Sequence, residues 1–320
     1  MARIAPETIS IFQNDQLSHS SSKVYSSVFP MTKESWYKLR LILKLVTTIG
    51  TGTGAKFLAE YQYLKNIILR TSDGEIICST PAIGLYYFNF LMYGVGPNRT
   101  AFAAADGNYY AIVDIPFTLP FLARLEDTCL DSGRYSSIEL EVQTGALTDL
   151  LTTVGTASVV PYLSAFIERS KSGYYDSGKP FGGYPVFKTL APVSNTQGYI
   201  PFESSQDLVY FGFFIHGADS PTLGLAYSGN PSDAIIDGIT FGDSMIKFIS
   251  NAGLYWFKEL RNKMANSDLT GILPYHFVNQ GSIFEAYRSG NVGEIRFEWS
   301  SSISGQLTPF VYGFRKFKRS

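Results

Sequence analysis

The sequence predicts an all-β chain built from two tandem copies of one β-rich unit. Three observations carry that prediction. In "LRLILKLV" (39–46), Leu39, Leu41, Leu43 and Leu45 alternate with Arg40, Ile42, Lys44 and Val46, the period-two pattern of an antiparallel strand with one wetted face. The 21 Tyr and 24 Phe, set among many Ser, Thr and Gly, suit half-buried pleated surfaces better than helices. Segments of the first half also return in the same order in the second.

Taken from the start, residues 1–30 are polar and serine-rich ("LSHSSSKVYSS") and read as an N-terminal arm. The alternating strand follows from Trp36. "NIILRT" and "EIICST" flank "SDG", where Asp73-Gly74 marks a hairpin because Gly accepts positive φ. "PAIGLYYFNFLMYG" breaks the alternation, with Pro81 at a helix start and Gly94 at its stop. "YYAIVDIPFTL", "YSSIELEVQT" and "SVVPYLSAFIE" return to strand character. Residues 170–185, "SKSGYYDSGKPFGGYP", have linker composition. Beyond them "DLVYFGFFIHG" reads as an apolar strand, "AIIDGITFGDSMIKFIS" as strand-turn-strand and "NAGLYWFKELRNKM" as a short helix. "GILPYHFV" and "VGEIRFEWS" read as strands.

The repeat can be followed position by position. "GLYYFNFL" (84–91) matches "GLYWFKEL" (253–260) at five of eight positions, "IPFTL" (115–119) answers "LPYHF" (273–277), and "IELEV" (138–142) answers "IRFEW" (295–299). Upstream, "LRLILKLV" and "VYFGFFIH" fall at nearly the same offset. The first copy is longer in the loop "VGPNRTAFAAADGN". The expected organisation is an arm over 1–30, one unit over 31–175 and a second over 176–320. Each unit has the length of an eight-stranded jelly roll with one short helix inserted.

Composition excludes several functions. A formal net charge of −1 is not the basic footprint of a protein that grips nucleic acid with its whole surface. Two cysteines, Cys78 and Cys129, are too few for a disulfide scaffold or a metal cluster and read as free core thiols. The N-terminus lacks the apolar core of a secretory signal. The longest apolar stretch, "PAIGLYYFNFLMYGVG", is too short to span a bilayer, so the chain reads as soluble.

The chemical motifs are weak. "TTIGTGTGAKF" (47–57) satisfies the letter of a dinucleotide fingerprint with Gly50, Gly52 and Ala55, and Asp73 stands where a ribose-binding acid would. The preceding strand, however, carries Arg40 and Lys44 on one face, the following helix is short, and no strand-helix-strand series continues. A strand-connecting loop is the better reading, and a nucleotide-dependent enzyme stands as a third alternative. His19, His216 and His276 share no metal-binding spacing, and no serine elbow accompanies His216 and Asp219. Glu139 and Glu141 fall on one strand face, and Asp114 on another strand, with no sign of a catalytic pair. The aromatic rings of "GLYYF" and "GLYWF" read as packing rather than as a ligand platform. Asn98 begins the glycosylation pattern "NRT". No catalytic residue, cofactor site or metal set is assigned. The basic C-terminal tail "FRKFKRS" offers Arg315, Lys316, Lys318 and Arg319 as a membrane or nucleic-acid contact.

The duplication, together with "YLKNIILRTSDGEIICST" followed by "GLYYFNFL", resembles the double jelly-roll major capsid proteins of tailless, membrane-containing icosahedral viruses. That lineage includes adenovirus hexon, and the size is similar to that of its smaller phage members. The resemblance covers about Thr32 to Phe317. It implies a non-enzymatic shell subunit whose two barrels stand side by side, and a homotrimer with a pseudo-sixfold outline. It further implies contacts with neighbouring capsomers, minor capsid or penton proteins and an internal lipid membrane. The location implied is the virion, after synthesis in the host cytoplasm, without strong direct nucleic-acid binding. The arm or the basic tail would then touch the membrane or neighbouring capsomers, and the insertion around Asn98 would be an exposed outward loop or a trimer contact. The alternative from another class is a two-domain carbohydrate-binding or adhesin-like β protein using Tyr and Trp as sugar platforms.

Overall fold

A computed structural model of the chain describes residues 6–19, 24–30, 34–93, 96–119, 128–170, 183–191, 198–203, 205–218, 238–241, 244–247, 272–278, 286–288, 295–299 and 306–316. The chain divides into two compact units, Met1–Pro120 with Arg124–Pro185, and Phe121–Ala123 with Val186–Ser320. The boundary expected at 175/176 lies outside the described residues. Residues 183–185, expected in the linker, begin a strand.

Unit 1 is a sandwich of two antiparallel sheets. One runs β1 (Glu7–Gln16), β11 (Ser158–Arg169), β3 (Ser35–Thr48), β7 (Gly107–Pro116). The other runs β2 (Val24–Pro30), β9 (Ser137–Thr144), β5 (Leu64–Thr71), β6 (Ile76–Thr80). Counted along the chain, these eight strands lie in the orders 1-8-3-6 and 2-7-4-5, the antiparallel order of a jelly roll. Short strands β4 (Thr53–Ala55) and β10 (Leu151–Thr153) pair with each other, and β8 (Leu130–Asp131) pairs with β3.

The first thirty residues therefore depart from the expected arm: they supply an edge strand to each sheet. β1 pairs with β11 from Glu7↔Arg169 to Gln16↔Tyr162, and β2 pairs with β9 from Val24↔Gln143 to Pro30↔Ser137. Tyr25 Oη donates to Asp15 Oδ2 at 2.7 Å, tying the two edge strands together. Each strand lies at an edge with both faces partly wet, so its hydrophobic contrast is low.

Unit 2 repeats the plan strand for strand. Its sheets run β12 (Gly183–Thr189), β20 (Gln306–Lys316), β14 (Leu208–Ala218), β17 (Ile272–His276), and β13 (Gly198–Phe202), β19 (Ile295–Trp299), β15 (Gly238–Phe241), β16 (Ser244–Lys247). These are again the orders 1-8-3-6 and 2-7-4-5. Even the short extra strand recurs: β18 (Tyr287–Arg288) pairs with β14 as β8 pairs with β3. The repeat read from sequence aligns third strand with third, sixth with sixth and seventh with seventh. Residues 253–260, where it places a second helix, lie outside the described residues.

The alternation in β3 is realised as predicted, with Leu39, Leu41, Leu43 and Leu45 fully buried while Arg40, Ile42, Lys44 and Val46 stay half-exposed. Across the sandwich they face a layer that includes Ile67, Leu69, Ile138, Leu140 and Val142, all fully buried. The Asp73-Gly74 hairpin forms between β5 and β6, with Gly74 at φ 80° and its N–H donating to the Thr71 carbonyl at 2.9 Å. Helix α2 (Ala82–Tyr93) starts directly after Pro81 and is buried nearly all round, which is why its sequence shows no polar stripe. Asn89, its one buried amide, donates to the carbonyls of Leu85 and Asp114, each at 2.8 Å. Among the described residues no helix is long and apolar enough to cross a membrane.

Buried tyrosines set an alkaline limit on this fold. Burial, with the hydrogen bond to Asp15, pushes the Tyr25 hydroxyl up to about 12. Burial raises Tyr61, Tyr63, Tyr135, Tyr210 and Tyr312 further. The folded state thus holds protons that the unfolded chain loses near pH ~10. The associated stability is present below that pH and is lost as pH rises through the folded values. The unfolding midpoint is expected to hold up to about pH 10 and then fall steeply. Tyrosinate absorbance should rise together with unfolding; ionisation of these tyrosines in a still-folded protein near pH 10 would contradict the assignment.

Candidate assembly surface

The glycine-rich stretch folds as a strand connector whose polar groups are already used. The Gly52 N–H donates to the Ile49 carbonyl at 2.8 Å, the Ile49 N–H to Asp106 Oδ1 at 2.6 Å, and the Lys56 N–H to the Leu150 carbonyl at 2.9 Å. Thr51 and Thr156 exchange two bonds, each backbone N–H donating to the other's hydroxyl at 3.1 Å. A phosphate cradle needs such N–H groups aimed outward, and these are spent on the neighbouring turn. The helix behind it, α1 (Ala59–Gln62), has four residues. Gly50 and Gly155 both sit at φ 55°, and a Cβ on Gly155 would lie 2.7 Å from the Thr51 carbonyl carbon. Gly155→Ala is therefore expected to cost more than about 1 kcal/mol, read as a lowered denaturation midpoint, with no change in response to nucleotides.

The candidate acids are engaged with neighbouring side chains and do not form a catalytic pair. Asp114 on β7 takes a two-pronged bond from Arg40, 2.8 Å at each oxygen. Glu139 and Glu141 do share the half-exposed face of β9. Glu139 accepts from Ser26 Oγ at 2.6 Å, and Arg70 lies 3.5 Å from Glu141. His19 stacks on Tyr63, its Nδ1 2.7 Å from the phenol oxygen, and burial lowers its pKa. His216 and His276 lie on adjacent strands β14 and β17, opposite Ile272 and Gly212 respectively. Cys78 and Cys129 are buried and form no disulfide, and burial pushes the Cys78 thiol up. Among the described residues no group of His, Cys, Asp and Glu is placed to hold a metal ion. The rings of "GLYYF" pack inward: Tyr86 sits 4.5 Å from Tyr61 and 6.0 Å from Phe90, ring centre to ring centre.

What remains outward is surface. The loop after α2 is pinned to Glu60 and to β7 and exposes side chains between these bonds. The Arg99 guanidinium donates to Glu60 Oε1 at 2.6 Å, and the Phe102 N–H donates to Glu60 Oε2 at 3.2 Å. Thr100 N–H donates to the Tyr110 carbonyl at 2.8 Å, laying the loop along β7. Asn98, Thr100, Ala101 and Ala103 face solvent. At the far end of the chain, Arg315 and Lys316 close β20. Arg315 is ion-paired with Glu203, which also takes a 2.8 Å bond from Lys188. Burial raises the Glu203 carboxyl, but these two cations outweigh it and hold the group below its ordinary range. Lys316 is exposed, its backbone N–H bonded to the Asp207 carbonyl at 2.7 Å. Lys318 and Arg319 lie outside the described residues.

No family model matches the sequence, and no curated protein does. Solved structures match over almost the whole chain. The major capsid protein of Sulfolobus turreted icosahedral virus is 11% identical with a TM-score of 0.70, covering 97% of this chain and 96% of that one. Major capsid protein P2 of bacteriophage PM2 is 11% identical with a TM-score of 0.62, covering 98% and 99%. The Faustovirus major capsid protein is 7% identical with a TM-score of 0.61, covering 98% and 91%. The fold is a double jelly roll.

Two features of this double jelly roll escaped the sequence reading. Glu60, 1% exposed, is the anchor of the outward loop, yet on paper it is one acid in a short polar helix. The outward face of β2 presents Val24 and Val28, 59% and 62% exposed, in a stretch that reads as arm. The alternation Val24, Ser26, Val28 against Tyr25, Ser27, Phe29 was the available signal, masked by the serine run before it.

Proposed function

We propose that this chain is a major capsid subunit that assembles as pseudo-hexameric trimers into an icosahedral shell over an internal membrane. The observation that carries the reading is the strand-for-strand repetition of one jelly roll within a chain that matches capsid subunits end to end, at 96% and 99% of two neighbours' own lengths. A subunit with two similar barrels presents six similar bodies per trimer, so one chain can tile a surface of sixfold outline. The sandwich leaves sheet faces and edges for contact with siblings, and near-neutral charge adds little repulsion to dense packing.

The test is the mass of the purified protein in solution, joined to electron microscopy of what it forms. Trimers and closed symmetric particles are expected. A stable monomer that binds members of a glycan array would favour the carbohydrate-binding reading instead. Neighbouring capsomers and minor or penton proteins are the partners in the proposed shell.

Within this reading the basic C-terminus, Lys316 with Lys318 and Arg319, meets anionic lipid, while Arg315 serves the ion pair with Glu203. Each cation near an anionic surface contributes about 1 kcal/mol. Reversing Lys316, Lys318 and Arg319 to Glu should then weaken co-sedimentation with phosphatidylserine vesicles at least tenfold. Unchanged binding would remove the tail from the membrane contact.

A further inference from the structure

We propose that the free edge of β2 pairs antiparallel with β2 of a second copy, about a two-fold axis through Ser26. An open strand edge invites another strand, and stable monomers blunt it with charge, bulges or twist. Two of the edge strands of unit 1, β1 and β2, differ sharply in this respect. β1 carries Glu7 and Asp15, breaks register between Ser10 and Phe12 and again between Phe12 and Asp15, and places Asn14 at φ 55°. β2 has none of these three, and its Pro30 stands only at the strand's end. "VYSSVFP" contains no charged residue and keeps an unbroken register against β9 over all seven positions. Among the described residues nothing pairs with its outer edge.

The occupant follows from the symmetry of the strand itself. Its outward face reads Val24, Ser26, Val28, the same in both directions about Ser26. An antiparallel copy centred there sets Val24 against Val28 of the copy at both ends and Ser26 against Ser26 in the middle. Two-fold pairing sets a strand against its own charges, so a neutral strand is the kind that can use it without repulsion. The acids behind the edge are restrained, Glu139 by the Ser26 hydroxyl and Glu141 by Arg70. Val24 and Val28 are the most exposed large apolar side chains among the described residues, and this pairing sets each beside the other across the seam. A single pair of short strands is marginal alone, so the contact operates between copies already held together by larger interfaces, where the effective concentration is high. In that respect the inference rests on the shell-subunit reading.

Disulfide trapping tests it on the full-length protein. Directly opposed residues in an antiparallel pair have Cα atoms about 4.5–5.5 Å apart, within disulfide reach, and the native Cys78 and Cys129 are buried. Ser26→Cys under mild oxidation should accumulate a covalent dimer as the major species at high concentration, while Ser158→Cys, also exposed, should not. Separately, Val24→Lys with Val28→Lys should leave the trimer intact and weaken association of trimers into particles. If Ser26→Cys stays monomeric on denaturing gels under conditions where particles form, or if the lysine variant assembles as well as the parent, the strand pair is wrong and the shell reading survives. If the parent forms neither trimers nor particles, the shell reading fails, and the cysteine cross-link still scores the pairing.

Discussion

Trp36→Ala should lower the unfolding free energy of unit 1 by about 3–5 kcal/mol, the range for deleting a large buried aromatic side chain. Trp36 lies at one end of β3, 1% exposed, with Phe29 from the opposite sheet and Phe117 beyond β7 at ring-centre distances of 6.2 and 6.4 Å. It therefore fills the gap where the two sheets meet, and alanine would leave a cavity between rings that are themselves held by β2 and β7. Among the described residues the indole N–H has no hydrogen-bond partner, so the side chain acts as apolar mass with a buried donor. That gives a second, sharper expectation. Trp36→Phe loses volume but also removes the buried donor, and should cost about 1 kcal/mol or less. Denaturant unfolding followed by circular dichroism separates the two variants. Equal losses would mean that the N–H, not the packing, governs the site.

Arg99→Met should cost about 3–5 kcal/mol, because it strands the buried Glu60 carboxylate without its cation. Glu60→Leu should cost less, about 2 kcal/mol, since Arg99 is 24% exposed on its side chain and can turn to water. The double variant should recover most of the larger loss, as replacement of a buried ion pair by apolar groups commonly does. It should retain about 1 kcal/mol of deficit for the Phe102 N–H, which Glu60 also serves. Glu60→Leu carries a structural readout as well. Trypsin cuts after arginine, and the Arg99 site should become cleavable in folded protein once its clamp is gone. Additive losses in the double variant, or equal trypsin resistance, would show that the ion pair does not hold the loop.

The parts of this fold that were legible are those whose partners lie close in sequence or whose pattern repeats. The β5–β6 hairpin announces itself through Asp73-Gly74, because a turn needs only its own residues. The alternation of β3 is clear because one face is dry and the other carries Arg40 and Lys44. The repeat exposed the second unit because equivalent strands kept their Pro and aromatic positions. β1 and β2 were not legible. Their partners, β11 and β9, lie more than a hundred residues away, and edge strands with two partly wet faces have little contrast to read. Glu60 was silent for a similar reason: its burial depends on Arg99 in a distant loop. The glycine turn satisfied a motif by letter, but its geometry is set by Thr156, which no local pattern names. The aromatic helix is legible as packing, because rings on every side of a short helix leave it little solvent face.

The pairing of β1 with β11 also bears on how the chain is made. Glu7 finds its neighbour at Arg169, so the first strand of this barrel to be made waits for the barrel's last. Until then two apolar sheets stand open while translation, at about 5–20 residues per second, runs on for some ten to thirty seconds. A nascent chain in that condition needs shelter, and crowding many such chains on one message raises the hazard. Synthesis from a slowed or sparsely loaded message should accordingly give a higher soluble yield than the same protein made fast.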